Sequence, residues 1–148
     1  MRYLYLLALL VTLPLLSISQ PNSNDELKTK GPFLRFEPSE VDMGKIPMNS
    51  VTDESGNIEI TFYNDGSKPL ILQQVNACCG TTVKEWPKQP ILPGKSGKIK
   101  ASFRVEPRPS RISRTVTVTS NALNGNSLKI SILGEVIVPT DSNEIKLP

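Results

Sequence analysis

The sequence contains no histidine. That absence removes Ser-His-Asp and Cys-His nucleophile arrangements, histidine general bases and nearly all zinc sites. Carboxylate pairs and Ser-Lys chemistry stay formally open, but no spacing in the chain singles them out. Excess charge is also lacking: the net charge is +3, and Arg2 carries one of those units in the N-terminal segment. So small a value gives no argument for nucleic acid or an anionic membrane as a partner. Helical apolar repeats are few. Cysteine and tryptophan are scarce, with two of the first and one of the second. All three fall in one short stretch, at Cys78, Cys79 and Trp86. What the chain does have is 13 prolines and 9 glycines, the composition of a turn-rich all-β protein.

Residues 1–19 read as a secretory signal peptide. Arg2 supplies a short positive region, residues 3–16 form an apolar run, and Ser17-Ile18-Ser19 offers small residues for cleavage before Gln20. The apolar run is shorter than the roughly 20 residues that span a bilayer, and it contains Pro14. An uncleaved anchor is therefore the less favoured alternative. No cysteine follows the run, which argues against an N-terminal lipid. The mature protein is expected to be periplasmic or extracellular, without stable membrane insertion. Its organisation is expected to be a flexible polar leader (20–31), one domain (32–139) and a polar C-terminal tail (140–148).

Within the domain, residues 33–36 begin the ordered chain, and Val41, Met43 and Ile46 form a short strand broken around Gly44. Ile58, Ile60 and Phe62 alternate with Glu59, Thr61 and Tyr63, the pattern of a half-buried strand. Asn64-Asp65-Gly66-Ser67 is turn chemistry. Residues 70–75 form the next apolar run and lead to the cysteines. Pro87, Pro90 and Pro93 then exclude helix and central-strand positions, so residues 86–95 are a loop or an edge crossing. Pro93-Gly94 suits the middle of a type II turn. Ile99, Ala101, Phe103 and Val105 alternate again, residues 106–110 turn the chain, and Val116 and Val118 share one face of the returning strand. Asn124-Gly125 is a hairpin signal. Leu128, Ile130, Ile132, Gly134, Val136 and Val138 complete the series at period two. About seven strands with turn signals every 8–12 residues predict an immunoglobulin-like antiparallel β-sandwich, with a small closed barrel as the alternative.

Several of these segments occur in a familiar order: Asp42, Gly44 and Ile46; F-Y-N-D-G-S-K-P-L over residues 62–70; the cysteine segment; P-I-L-P-G-K-S-G-K-I-K-A-S-F over 90–103; and V-T-V-T-S-N-A over 116–122. In this order they resemble a secreted bacterial domain family of unknown function, number 1573. That family is similar to the ASH domains of hydin and its relatives, and more distantly to major sperm protein and PapD-type immunoglobulin-like folds. The resemblance covers residues 33 to about 138 and implies fold and compartment, with no agreed activity to carry over. The family pattern at the bend is S-C-G-C-T. Here Cys78 takes the serine position, Cys79 matches the first cysteine and Thr81 replaces the second.

Four readings of Cys78-Cys79 stand beside one another. The pair forms a vicinal disulfide, binds a soft metal through two thiolates, exchanges with a thiol of another protein, or is plain packing with one side chain turned outward. Trp86 is expected to be a lid over one end of the sandwich, and otherwise an exposed aromatic anchor. Arg104, Arg108, Arg111 and Arg114, with Lys95, Lys98 and Lys100 nearby, are either a basic patch for an acidic partner or ordinary solvated faces. Strand alternation, which divides charges between edges, favours the second.

Taken together, the sequence predicts an exported, non-enzymatic module without a cofactor or metal that acts on another envelope or extracellular protein. Strand addition at a sheet edge is the expected mode of contact. The alternatives are a thiol-based redox or metal-handling protein using Cys78 and Cys79, and a carbohydrate-binding module built around Trp86 and Tyr63.

Overall fold

The computed structural model describes residues 23–139; the segment read as a signal peptide and the C-terminal tail lie outside the described residues. Alternating side chains produce the strands, as the patterns predict. In β3 (Asn57–Asn64), Ile58, Ile60 and Phe62 are buried while Glu59 is exposed and Thr61 and Tyr63 are half-buried. In β8 (Ser127–Ile137), Ile130, Ile132 and Val136 point inward, although Val138 beyond its end is exposed. Between these, β6 (Ser96–Phe103) contributes Ile99, Ala101 and Phe103, and β7 (Ser110–Ser120) contributes Ile112, Val116 and Val118. With β1 (Leu34–Phe36), β2 (Glu40–Pro47), β4 (Leu72–Ala77) and β5 (Thr81–Glu85), eight strands form among the described residues.

They make two four-stranded sheets, ordered β1-β3-β6-β5 and β2-β8-β7-β4. The apolar faces close on each other as an immunoglobulin-like sandwich, each fully buried aliphatic or aromatic side chain contributing roughly 1.5–3 kcal/mol. All pairings are antiparallel except β2 with β8, which run parallel. The chain crosses between sheets on passing from β1 to β2, so β2 is free of the direction that a hairpin would impose.

Two elements depart from the sequence reading. The eighth strand, β5, has no inward alternation to reveal it; its five residues are half-buried or exposed, and it forms through ladder bonds to β6 at the sheet edge. The polar segment read as a flexible leader contains a helix, α1 (Ser23–Lys30). Asp25 and Glu26 lie in its first turn and Lys28 and Lys30 in its last, which complements the helix dipole, and Lys30 pairs with Glu26 one turn away.

One end of the sandwich is tied by asparagine side chains. Asn64, fully buried at the end of β3, accepts from the Phe33 and Gly66 N–H groups and donates to the Lys68 and Ile91 carbonyls. Asn124 accepts from the Leu34 N–H at 3.0 Å and donates to its carbonyl at 2.8 Å, covering the outer edge of β1 as a neighbouring strand would. Residues 86–95 form the expected crossing, tacked to the sheet by reciprocal Leu70 and Ile91 bonds. At Pro93-Gly94 the expected type II turn is present, with the Lys95 N–H bonded to the Leu92 carbonyl and Gly94 at φ 71°.

Candidate functional site

The two cysteines sit where the chain leaves β4, an edge strand of one sheet, for β5, an edge strand of the other. The transfer is made in four residues. The Thr81 N–H donates to the Cys78 carbonyl at 3.1 Å, and the central residues Cys79 and Gly80 have φ of 61° and 75°. This is a type I′ turn, which demands positive φ at both middle positions. Glycine meets that demand readily, whereas Cys79 does so against its own Cβ. The Cys78 N–H donates to the Thr115 carbonyl at 3.0 Å and fixes the turn to β7.

In an extended strand, adjacent side chains point to opposite faces. Here the turn instead brings Cys79 Sγ to 2.7 Å from Cys78 Sγ, and both residues are exposed with free thiols. The Cys79 thiol donating to Cys78 holds Cys78 below the ordinary thiol range. The Thr115 backbone and hydroxyl and the Arg114 charge act in the same direction, against partial desolvation. That same contact, together with desolvation and the neighbouring negative charge, pushes Cys79 up.

Beside this turn, β7 is longer than its partner. β4 covers it only from Val116 onward, and beyond the Cys78 bond no strand among the described residues pairs with that side of residues 110–114. By the two-residue period of the ladder, the N–H and C=O groups of Arg111 and Ser113 face the same open side as the Thr115 carbonyl. The opening forms a groove lined by Phe103, Val105 and Ile112, by Arg104, Arg108, Arg111 and Arg114, and by Ser110 and one acid, Glu106. Alternation does not separate these charges, because the gap between the sheets gathers side chains from the β6–β7 loop and from both faces of β7.

Arg114 is the residue that sequence reasoning undervalued. It occupies an inward position in phase with Ile112 and Val116, its guanidinium lies 5.4 Å from the centre of the Phe103 ring, and its Nε is buried without a hydrogen-bond partner. A charge on the apolar phase of a strand was the signal available. Among the described residues, Arg104 is the one arginine of the four with an ion pair, to Glu106 at 3.2 Å. By contrast, Lys98 and Lys100 are answered across the sheet by Glu59 and Glu85.

Trp86 lies away from this groove, half-buried and packed against the core as the lid reading expects. Lys88 lies over its ring, and Arg35 lies 4.6 Å from the centre of the Tyr63 ring. Both aromatic faces that a sugar would stack on thus carry a cation. Among the described residues, no group of three or more histidine, cysteine, aspartate or glutamate side chains could hold a metal ion. No helix among them is long and apolar enough to cross a membrane.

The chain is similar in structure to a protein of unknown function from Porphyromonas gingivalis W83, with 17% identity and a TM-score of 0.57 over 73% of this chain and 48% of that one. It is also similar to the secreted serine protease VesC from Vibrio cholerae, with 13% identity and a TM-score of 0.54 over 77% of this chain and 24% of that one. The ASH/PapD-like domain of human CEP192 aligns at 12% identity and a TM-score of 0.44, covering 88% of this chain and 97% of that domain. The chain thus spans about half the length of the first of these structures and a quarter of the second. These likenesses concern the fold. No curated protein is a significant match in sequence. Residues 34–136, from the first residue of β1 to the last buried residue of β8, match the family described as protein of unknown function (DUF1573), and the chain belongs to that family.

Proposed function

We propose that the protein is an exported, non-enzymatic interaction module that takes up an extended acidic segment of another envelope or extracellular protein along the free side of β7. The observation that supports this most strongly is the ladder edge at residues 110–114, which no strand among the described residues pairs, bordered by four arginines of which three form no ion pair among those residues. An open edge accepts main-chain hydrogen bonds from an added strand. The arginines select its charge, since a guanidinium binds carboxylate through two parallel N–H bonds.

Titrating the full chain with a hexapeptide of alternating glutamate and valine tests this reading, with a lysine–valine hexapeptide as the counterpart. The acidic peptide is expected to bind. Its affinity should fall when alternate peptide nitrogens are methylated, because that removes donors to the ladder. Equal binding of both peptides, binding of neither, or indifference to N-methylation would overturn the proposal. Export is checked separately, by fractionating cells that express the full sequence.

A further inference from the structure

We infer that Cys78 and Cys79 form a reversible dithiol–disulfide couple, with Cys78 as the attacking sulfur and Cys79 as the resolving one. This rests on the cysteine turn itself and requires nothing bound along β7. Three features of the turn carry it. The sulfurs are 2.7 Å apart, closer than the roughly 3–3.5 Å of a near-attack pair. The residue that brings them together, Cys79, is held in a left-handed conformation by the Thr81–Cys78 bond and by the tether to Thr115. Both side chains are exposed, so an external reagent reaches them.

The surroundings assign the roles. Cys78 accepts the thiol hydrogen of Cys79 and lies in the field of Arg114, which favours its thiolate. Cys79 is the donor of that contact and keeps its proton longer. The co-reactant is an external disulfide, small or protein-borne. The Cys78 thiolate attacks one of its sulfurs, the external S–S bond breaks, and the first thiolate leaves and takes a proton from water. Cys79 then loses its proton to solvent and attacks Cys78 Sγ in the mixed disulfide, releasing the second thiolate. A Cys78–Cys79 bond has formed, two electrons have passed to the external disulfide, and both released thiolates are protonated.

The ring so formed spans a single peptide unit. Its Cα atoms are held about 3.8 Å apart, where ordinary disulfides have about 4.4–6.8 Å. A strained bond of this kind is reopened readily by thiols, so the couple is a switch and not a structural cross-link.

The test is incubation of the full chain with oxidised glutathione, followed by intact mass and by alkylation under denaturing, non-reducing conditions. The wild type is expected to lose the mass of two hydrogens, to carry no glutathione and to resist alkylation at both cysteines. Excess reduced glutathione should then restore both thiols. Cys79→Ser should stop at one glutathione on Cys78, and Cys78→Ser should react at Cys79 roughly tenfold more slowly. The proposal fails if the wild type still alkylates at both positions, ends as a glutathione adduct, or ends as a disulfide-linked dimer. A double Cys→Ser variant that retains acidic-peptide binding separates failure here from failure of the strand-addition reading.

Discussion

Asn64 Nδ2 donates to the Ile91 carbonyl at 2.8 Å, tying the end of β3 to the proline-rich crossing 27 residues later. The same amide donates to Lys68 and accepts from Phe33 and Gly66, so a fully buried polar side chain has every hydrogen-bonding position filled. Replacing it orphans three backbone groups, the Phe33 and Gly66 N–H and the Lys68 carbonyl, each costing about 1–3 kcal/mol if left unpaired, while the Ile91 carbonyl keeps its bond from the Leu70 N–H. Asn64→Leu is therefore expected to lose at least about 3 kcal/mol, a large share of the roughly 5–15 kcal/mol that holds a domain together. Urea denaturation checks this: the midpoint should fall with little change in slope. A loss below about 1 kcal/mol would mean that the network is dispensable.

Asn64 also shows where sequence reading stops. Its neighbours Asp65, Gly66 and Ser67 mark a turn, and the turn is there. That the side chain anchors Phe33 and Ile91 was invisible, because those partners are 31 and 27 residues away and backbone N–H and carbonyl groups leave no mark in a sequence. The sandwich itself was legible, since Ile58, Ile60, Phe62, Val116, Val118, Ile130 and Ile132 bury at period two and every one faces the core. β5 was not, as an edge strand held by ladder bonds needs no apolar phase. The arginine groove was half legible: its residues stand out, but their convergence depends on β7 outrunning β4. For the cysteines, the sequence left four readings open, and the left-handed turn that joins their sulfurs depends on backbone angles.

The turn also makes a stability prediction. Cys79 adopts φ 61°, which costs an L-residue about 1–2 kcal/mol and a glycine little. Under reducing conditions, Cys79→Gly is expected to leave stability unchanged or raise it by up to about 1 kcal/mol, although a side chain is lost. Cys79→Val should lower it by about 1–2 kcal/mol, because a branched Cβ fits the left-handed region worst. Thermal unfolding of the two variants checks the order, and equal midpoints would contradict it.

A close approach gives a larger effect. A Cβ on Gly56 would lie 1.8 Å from the Phe103 carbonyl oxygen, and the Gly56 carbonyl accepts from the Phe103 N–H at 3.1 Å. Neither backbone can move without opening the end of the β3–β6 ladder. Gly56→Ala should therefore cost more than the roughly 1 kcal/mol typical of substitutions, on the order of 2–3 kcal/mol. Urea midpoints of this variant and of an exposed-site control such as Gln89→Ala measure the difference.

In the groove, charge reversal should act on binding alone. Arg108 is exposed on the loop between β6 and β7 and has no ion pair among the described residues, so Arg108→Glu is expected to leave the unfolding midpoint nearly unchanged. It should weaken the acidic hexapeptide by roughly tenfold or more, and rising salt should weaken the wild-type complex as the charges are screened. Binding that is insensitive to both would place the peptide elsewhere.

The thiol pair should titrate in two steps, with Cys78 losing its proton first. The Cys79 contact, Thr115 and Arg114 lower Cys78, so its thiolate accumulates below the ordinary thiol range and its alkylation rate should rise early and then level off. Cys79 is raised, so its own rate should climb only above that range. Replacing Cys79 with alanine removes the largest cause, and the Cys78 midpoint must then move up in pH. Arg114→Gln removes the last and smallest contribution, so the midpoint should move up by less, and Arg114→Lys should restore it. Peptide-resolved alkylation rates across pH measure each midpoint. A Cys78 midpoint that stays in place in Cys79→Ala would show that the two sulfurs do not share a proton, and would remove the basis for giving them different roles.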